Sequence, residues 1–244
     1  MCENIRMDSQ VMRGRIVLKD SIIEDGVITV EGQFISHICP ASDFLGELPE
    51  SSGSTFLPGL VDVHCHGGGG ESFPNATTPE AAMQAVMEHR RHGTTSLVAS
   101  CVTADADTLK ARARTLASLA EKDEIAGIHF EGPFVSHARC GAQDPTYIVD
   151  PDPDLTRELI DECKGYALSM TLAPEKPRAF GEGSVAEALI DGGAIPSWGH
   201  TDSNSTFARQ ALEYSREHFA QSSTTRGPRA TITHLFNGMR PLHH

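Results

Sequence analysis

Apolar positions in the first quarter of the chain come in short alternating bursts, and after residue 58 their period changes. Arg15–Leu18, Ile22–Ile23, Gly26–Val30 and Phe34–Ile38 read as β-segments separated by turn signals at Asp25-Gly26 and Glu31-Gly32. Residues 41–55, rich in Ser, Gly, Glu and Pro, read as a linker or loop leading into the apolar run at Leu57. Beyond it, strands are predicted at Leu60–His64, Thr95–Ser100, Ile125–Glu131, Ala167–Ala173, Ile195–His200 and Thr231–Phe236. Helices are predicted between them at Thr78–His92, Ala106–Glu121, Leu155–Cys163, Ser184–Asp191 and Thr206–His218. The first helix has a clear start, with Thr78 as N-cap, Pro79 in the first turn and Glu80 near the positive end of the dipole. Strands alternating with helices imply a parallel α/β fold, because each parallel strand pair needs a crossover that a helix supplies.

The strand that opens this second region ends in His64 and His66, one residue apart, followed by the glycine run Gly67 to Gly70. Side chains on a strand repeat every second residue, so the two imidazoles point to one side while Val61, Val63 and Cys65 point to the other. Imidazole is a common ligand for zinc and similar ions, and glycines let backbone approach closely. Cys65 is therefore read as a packing residue.

Other strands end in comparable chemistry. Ile125–Glu131 ends in a carboxylate before Gly132-Pro133, Ile195–His200 ends in an imidazole, and the last strand carries His234. In a barrel the carboxyl ends of all strands face one mouth, so His64, His66, Glu131, His200 and His234 can meet there, which favours a barrel over an open sheet. Three nitrogen or oxygen ligands with an open position suit a catalytic zinc. His129 shares a face with Glu131 and is expected to support a ligand rather than be one. His37, His89, His92, His137 and His218 are read as surface residues. The expected architecture is α/β: a TIM-type (β/α)8 barrel, about six strands of which are present in residues 58–244, with a small N-terminal β-sandwich domain over residues 1–57.

Composition narrows the partners. The 244 residues carry a formal net charge of −13, which argues against nonspecific binding to nucleic acid or to an anionic membrane, so a bound phosphate must meet a local pocket. The first ten residues are polar, and no run approaches the ~20 apolar residues of a membrane span, so a cytoplasmic location is expected. The six cysteines (Cys2, Cys39, Cys65, Cys101, Cys140 and Cys163) show no CxxC pair and are expected to be mostly buried free thiols, with Cys140 in a loop.

Several short motifs occur together. Leu57 to His66 (LPGLVDVHCH), His129 to Phe134 (HFEGPF), Cys140 to Ala142 (CGA), Leu172 to Glu175 (LAPE), Gly199 to Thr201 (GHT) and His234 to Met239 (HLFNGM) resemble the N-acetylglucosamine-6-phosphate deacetylase family of the amidohydrolases. The resemblance implies hydrolysis of the acetamide of an amino-sugar phosphate, with a divalent ion activating water and a carboxylate carrying the proton to the leaving amine. It implies that Glu131, His200 and His234 hold the principal ion, most simply zinc, and that His64 and His66 bind a second ion where one is present. It also implies that Asn237 and Gly238 help hold the phosphate, that the loop with Ala142 and Gln143 lines the sugar site, and that the full-length protein is a homodimer.

Two departures stand out. The family usually has histidine, a contact to the sugar hydroxyls, where this chain has Gln143; an amide can donate and accept, so binding is expected to survive with altered affinity or sugar preference. Second, a barrel has eight strands and ~250 residues, so its last strands and the family's catalytic aspartate are expected to lie beyond residue 244, and Asp202 is assigned to a loop or to support of His200. That expectation motivates an alternative reading, a noncatalytic metal- or sugar-phosphate-binding remnant. A further alternative is an amidohydrolase acting on a cyclic amide. Such enzymes carry a carboxylated lysine on the fourth strand, and Leu168 to Pro174 contains no lysine.

Overall fold

Alternating apolar residues pair into an antiparallel ladder at the start of the chain: β1 (Ser9–Val17), β2 (Ile22–Glu31) and β3 (Phe34–Pro40). The structure is a computed structural model that describes residues 9–223, 227 and 229–241. The chain divides into two units, Met1–Gly59 and Leu60–His244. In the first, β4 (Thr55–Phe56) joins β1 in parallel, giving the order β3-β2-β1-β4 around buried Val27, Cys39 and Ala41. The described residues of this unit form one sheet; the second layer of a sandwich is not among them.

One expectation fails here for an identifiable reason. Asp25-Gly26 is not a turn: β2 runs straight through it, and a Cβ on Gly26 would fall 2.5 Å from Ile16 Cδ1, so the glycine permits close packing where β1 bulges between Gly14 and Ile16. Residues 41–54 form the expected loop, after one helical turn at Ala41–Asp43. The Ser52 N–H donates to Arg13 O and the Arg15 N–H to Ser54 O, each at 3.0 Å, which ties the end of the segment to β1.

The second unit is built as strand and helix in turn. It contains β5 (Leu60–Cys65), a small hairpin of β6 (Gly67–Gly68) and β7 (Glu71–Ser72), α1 (Pro79–Arg91), β8 (Thr94–Val102), α2 (Ala106–Ala120) and β9 (Gly127–Glu131). It continues through α3 (Pro153–Glu162), β10 (Ala167–Leu172), α4 (Val185–Asp191), β11 (Ile195–Trp198), α5 (Ser205–Gln221) and β12 (Thr231–Ile232). Each helix starts behind a capping oxygen, from Thr78, Asp105, Asp152, Ser184 and Asn204 respectively. The six main strands are all parallel in the order β5-β8-β9-β10-β11-β12, which is chain order. Leu116, Ile128, Phe130, Leu159, Met170, Leu172 and Leu189 are buried in one continuous core.

The last strand is shorter than its sequence suggests. It pairs with β11 only at Thr231 and Ile232, and at His234 the backbone turns to a left-handed φ of 58° that no strand can continue through. At the other edge, Val61 and Val63 are 66% and 67% exposed, so the outward face of β5 is not buried by the described residues. The thiols Cys39, Cys65, Cys101 and Cys163 are buried and Cys140 is half-buried, all free; Cys2 and the polar residues before Ser9 lie outside the described residues. No described helix is long and apolar enough to cross a membrane. Removing core volume from α2 tests this packing: Leu116→Ala, at a fully buried position, is expected to cost about 2–5 kcal/mol of unfolding free energy, read as a lower urea midpoint.

Candidate metal centre

β9 lies inside the sheet, and all five of its residues are buried. Alternation sends Ile128 and Phe130 to one side and His129 and Glu131 to the other, so the strand delivers a carboxylate, 3% exposed, to its own carboxyl end. Four imidazoles converge on it. His200 Nε2 lies 3.0 Å and His234 Nε2 2.8 Å from Glu131 Oε1, and His66 Nε2 lies 3.0 Å from Oε2. His64 Nε2 is 3.5 Å from Oε1 and 3.0 Å from His66 Nε2. Residues from both edge strands and the centre therefore meet at one point, so the sheet is curled.

The far ring nitrogens decide what these imidazoles can offer. His200 Nδ1–H donates to Arg139 O at 2.7 Å, and His66 Nδ1–H to Ser100 O at 3.2 Å. With Nδ1 carrying the proton, each Nε2 turns a lone pair toward an anionic carboxylate, an arrangement that a cation or additional protons must bridge. Two overlapping donor sets result, Glu131 with His200 and His234, and Glu131 with His64 and His66. Nitrogen and oxygen donors in such sets fit a zinc-like divalent ion.

The electrostatics point the same way. Burial pushes the Glu131 carboxyl up, but the hydrogen bonds that His200, His64 and His66 donate once they carry the additional protons outweigh it and hold it well below the usual carboxylate range. For His200, burial lowers the pKa, and the Glu131 carboxylate and Arg139 carbonyl raise it by more. Burial, with His64 adding repulsion, pushes His129 down to about 3. His129 thus stays neutral, held by Ser169 Oγ at 2.7 Å and Thr171 Oγ1 at 3.0 Å, and Thr171 continues to Thr233 at 2.8 Å and on to Ser197 at 2.7 Å.

Backbone strain sits at the same place. His200 and His234 both take positive φ, 47° and 58°, which costs about 1–3 kcal/mol per residue. Both follow the end of a strand and turn their rings inward. Gly132, directly after Glu131, has φ 95°, and a Cβ there would sit 2.2 Å from Thr103 Oγ1.

Sequence reasoning missed much of the support. Gln143 is 6% exposed, and its side chain points at Glu131: Nε2 donates to Oε2 at 2.8 Å while Oε1 accepts from the Thr103 N–H at 2.7 Å. Arg139, whose carbonyl holds His200, pairs with Asp202 at 2.8 Å, and Asp202 also takes Arg240 at 2.9 Å. Glu175 accepts from the Thr201 hydroxyl and, at 2.7 Å, from the Asp202 N–H. Ser169 and Thr171 alternate on a buried strand, a polar pattern that could have marked the inner face. Ala142 and Asn237 are exposed, and Gly238 O accepts from the Thr201 N–H at 3.2 Å beside His200 and His234. Two histidines read as surface residues are half-buried with partners, His89 against Cys65 and His218 against Asp191.

The model of the Amidohydrolase family matches residues 55–213. The chain belongs to the amidohydrolase family. It is 31% identical to N-acetylglucosamine-6-phosphate deacetylase of Bacillus subtilis (strain 168) over 94% of this chain and 56% of that protein. It is 30% identical to N-acetylgalactosamine-6-phosphate deacetylase of Shewanella sp. (strain ANA-3) over 77% of this chain and 44% of that one. Among solved structures, a mutant N-acetyl-D-glucosamine-6-phosphate deacetylase from Mycobacterium smegmatis, in complex with N-acetyl-D-glucosamine-6-phosphate, superposes with a TM-score of 0.83 at 31% identity, covering 96% of this chain and 57% of that one. The chain thus spans about half the length of these amidohydrolase relatives.

Gln143→Leu removes a donor from Glu131 and orphans the buried Thr103 N–H; it is expected to cost about 1–3 kcal/mol of stability and to weaken zinc binding ~10–100-fold, measured by denaturation and calorimetric titration. A second expectation concerns acid. Unfolded histidine takes up its proton near pH ~6.5, whereas folded His129 waits until about 3, so the unfolded chain binds more protons in that window. Stability of the metal-free protein therefore falls as pH drops from ~6.5 toward about 3, at up to ~1.4 kcal/mol per pH unit from this residue. His129→Gln should remove that slope, so the stability gap between wild type and variant narrows on acidification.

Proposed function

We propose that the whole protein is a metal-dependent hydrolase that deacetylates N-acetylglucosamine 6-phosphate to glucosamine 6-phosphate and acetate. The observation that carries this reading is the buried Glu131 carboxylate with four imidazole nitrogens turned onto it at the carboxyl ends of parallel strands. The names of the relatives supply the substrate class. Glu131, His200 and His234 hold the principal ion, with zinc as the expected metal, and His64 and His66 share Glu131 with a second where two are bound. When bound, such an ion lowers the pKa of water and polarises the amide carbonyl.

The chain's own residues do the positioning. Arg139 O and Ser100 O fix the tautomers of His200 and His66, and Gln143 fixes the plane of the Glu131 carboxylate. Because the Gln143 amide is engaged at both ends, it acts on the sugar by shaping the Gly141–Gln143 loop, and Ala142 is the part of that loop that faces the substrate. Asn237 and Gly238, on the turn after His234, supply amide and backbone donors for the phosphate, which needs no net positive charge. Asp202 is not the proton carrier: Arg240 and Arg139 hold its carboxyl below the usual range and occupy its oxygens. The reading extends to a closed TIM-type barrel for the whole protein, paired with an N-terminal β-sandwich, to a homodimer, and to the cytoplasm, where free thiols such as those found here persist.

The test is acetate release from N-acetylglucosamine 6-phosphate by the purified zinc-loaded protein, beside Glu131→Gln and beside the galactosamine epimer. Release that falls by at least ~10² in the variant and is faster for the gluco sugar is the expected result. Preference for the galacto epimer would reassign the sugar, and zinc binding with no release from either would make the protein a binder instead of a catalyst.

A further inference from the structure

A second group of donors lies on the side of β5 that faces α1. Cys65 Sγ is 3.1 Å from His89 Nε2 on α1. The carbonyl of Gly67 lies 3.0 Å from that nitrogen and 3.8 Å from the sulfur. Asp62 completes a set whose donor atoms all fall within 4.8 Å of one another. Strict alternation would place Asp62 and Cys65 on opposite faces, but the pairing of β5 with β8 shifts register between these two residues, and the carboxylate reaches the sulfur.

The local sequence makes room for the ring. A Cβ on Gly68 would sit 2.9 Å from His89 Nε2, so the glycine at this point of the β6–β7 hairpin is what admits the imidazole. Cys65 is 6% exposed while Asp62 and His89 are half-exposed, so the group is closed at the sulfur and open to ions on the other side. Thiol, imidazole and carboxylate together are a softer donor set than the one around Glu131, which contains no sulfur.

We propose that Asp62, Cys65 and His89 form a site for one thiophilic divalent cation, separate from the Glu131 centre, that staples β5 to α1. On binding, the thiol proton leaves to solvent as the sulfur–metal bond forms, and His89, whose Nε2–H donates to Gly67 O, passes to the tautomer protonated at Nδ1, so that the Nε2 lone pair is freed for the ion. A tetrahedral ion with metal–sulfur ~2.3 Å and metal–nitrogen ~2.0–2.1 Å holds those donors roughly 3.5 Å apart, so the observed pair need open only slightly. The staple falls on the strand that needs one. Among the described residues β5 pairs in its sheet with β8 alone, yet it carries both His64 and His66.

Cadmium is the probe, because its thiolate charge-transfer absorption reports sulfur ligation and is blind to the Glu131 centre. Titration of the full chain should develop this band to the amplitude of one cadmium–thiolate bond and raise the melting temperature. Cys140→Ser should leave both effects intact, Cys65→Ser should abolish the band, and His89→Gln, which keeps a polar side chain at this half-buried position, should weaken cadmium binding by at least ~10-fold. Absence of the band, its loss in Cys140→Ser, or an unchanged affinity in His89→Gln would overturn the proposal. None of these outcomes depends on whether the protein deacetylates anything.

Discussion

One buried carboxylate governs the architecture of the second unit. Glu131 sits where four imidazole nitrogens approach it, and at least two of those imidazoles have their other nitrogen committed to a backbone carbonyl. Lone pairs aimed at a buried anion are costly unless positive charge lies between them. A cation removes that conflict, and the ligand geometry is built around this need. The left-handed backbone at His200 and His234 is the local cost, offset by the packing of helices and strands that holds both strand ends in place.

Around the centre, polar residues replace the apolar filling common inside parallel barrels. His129, Ser169, Thr171, Ser197 and Thr233 form one chain of hydrogen bonds beneath the ligands. Among the described residues no buried side-chain polar atom lacks a partner. Such a network is stable only if complete, which explains why His129 is neutral and held on both ring nitrogens while the imidazoles from β5 and from the ends of β11 and β12 face Glu131. A comparable logic holds the opposite flank, where Asp202 and Glu175 fix the loop after His200 through Arg139, Arg240 and Thr201.

What could be read from the chain depended on the range of the interaction. Strand and helix positions were legible because hydrophobic period and caps are local; β5, β8 to β11 and all five helices fall within a few residues of expectation. Asp25-Gly26 misled because a glycine needed for tight cross-strand packing has the same local signature as one needed for a turn. β12 misled because an apolar run at a sheet edge does not show where pairing stops.

The convergence of His64, His66, Glu131, His200 and His234 was inferable from sequence, since each stands at or near the end of a predicted strand and parallel strands end on one side. The roles of Gln143, Arg139, Asp202 and His89 were not. Gln143 is twelve residues from Glu131 and forty from Thr103, and nothing in residue type alone tells an amide that lines an open pocket from one that clamps a buried carboxylate. The order of elements and the donors at their ends follow from the chain alone, because period, capping and strand alternation act over a few residues. Which nitrogen faces the centre, which residues brace it, and the meeting of Asp62, Cys65 and His89 follow only from the folded chain, because they rest on register, curvature and packing between segments far apart in sequence.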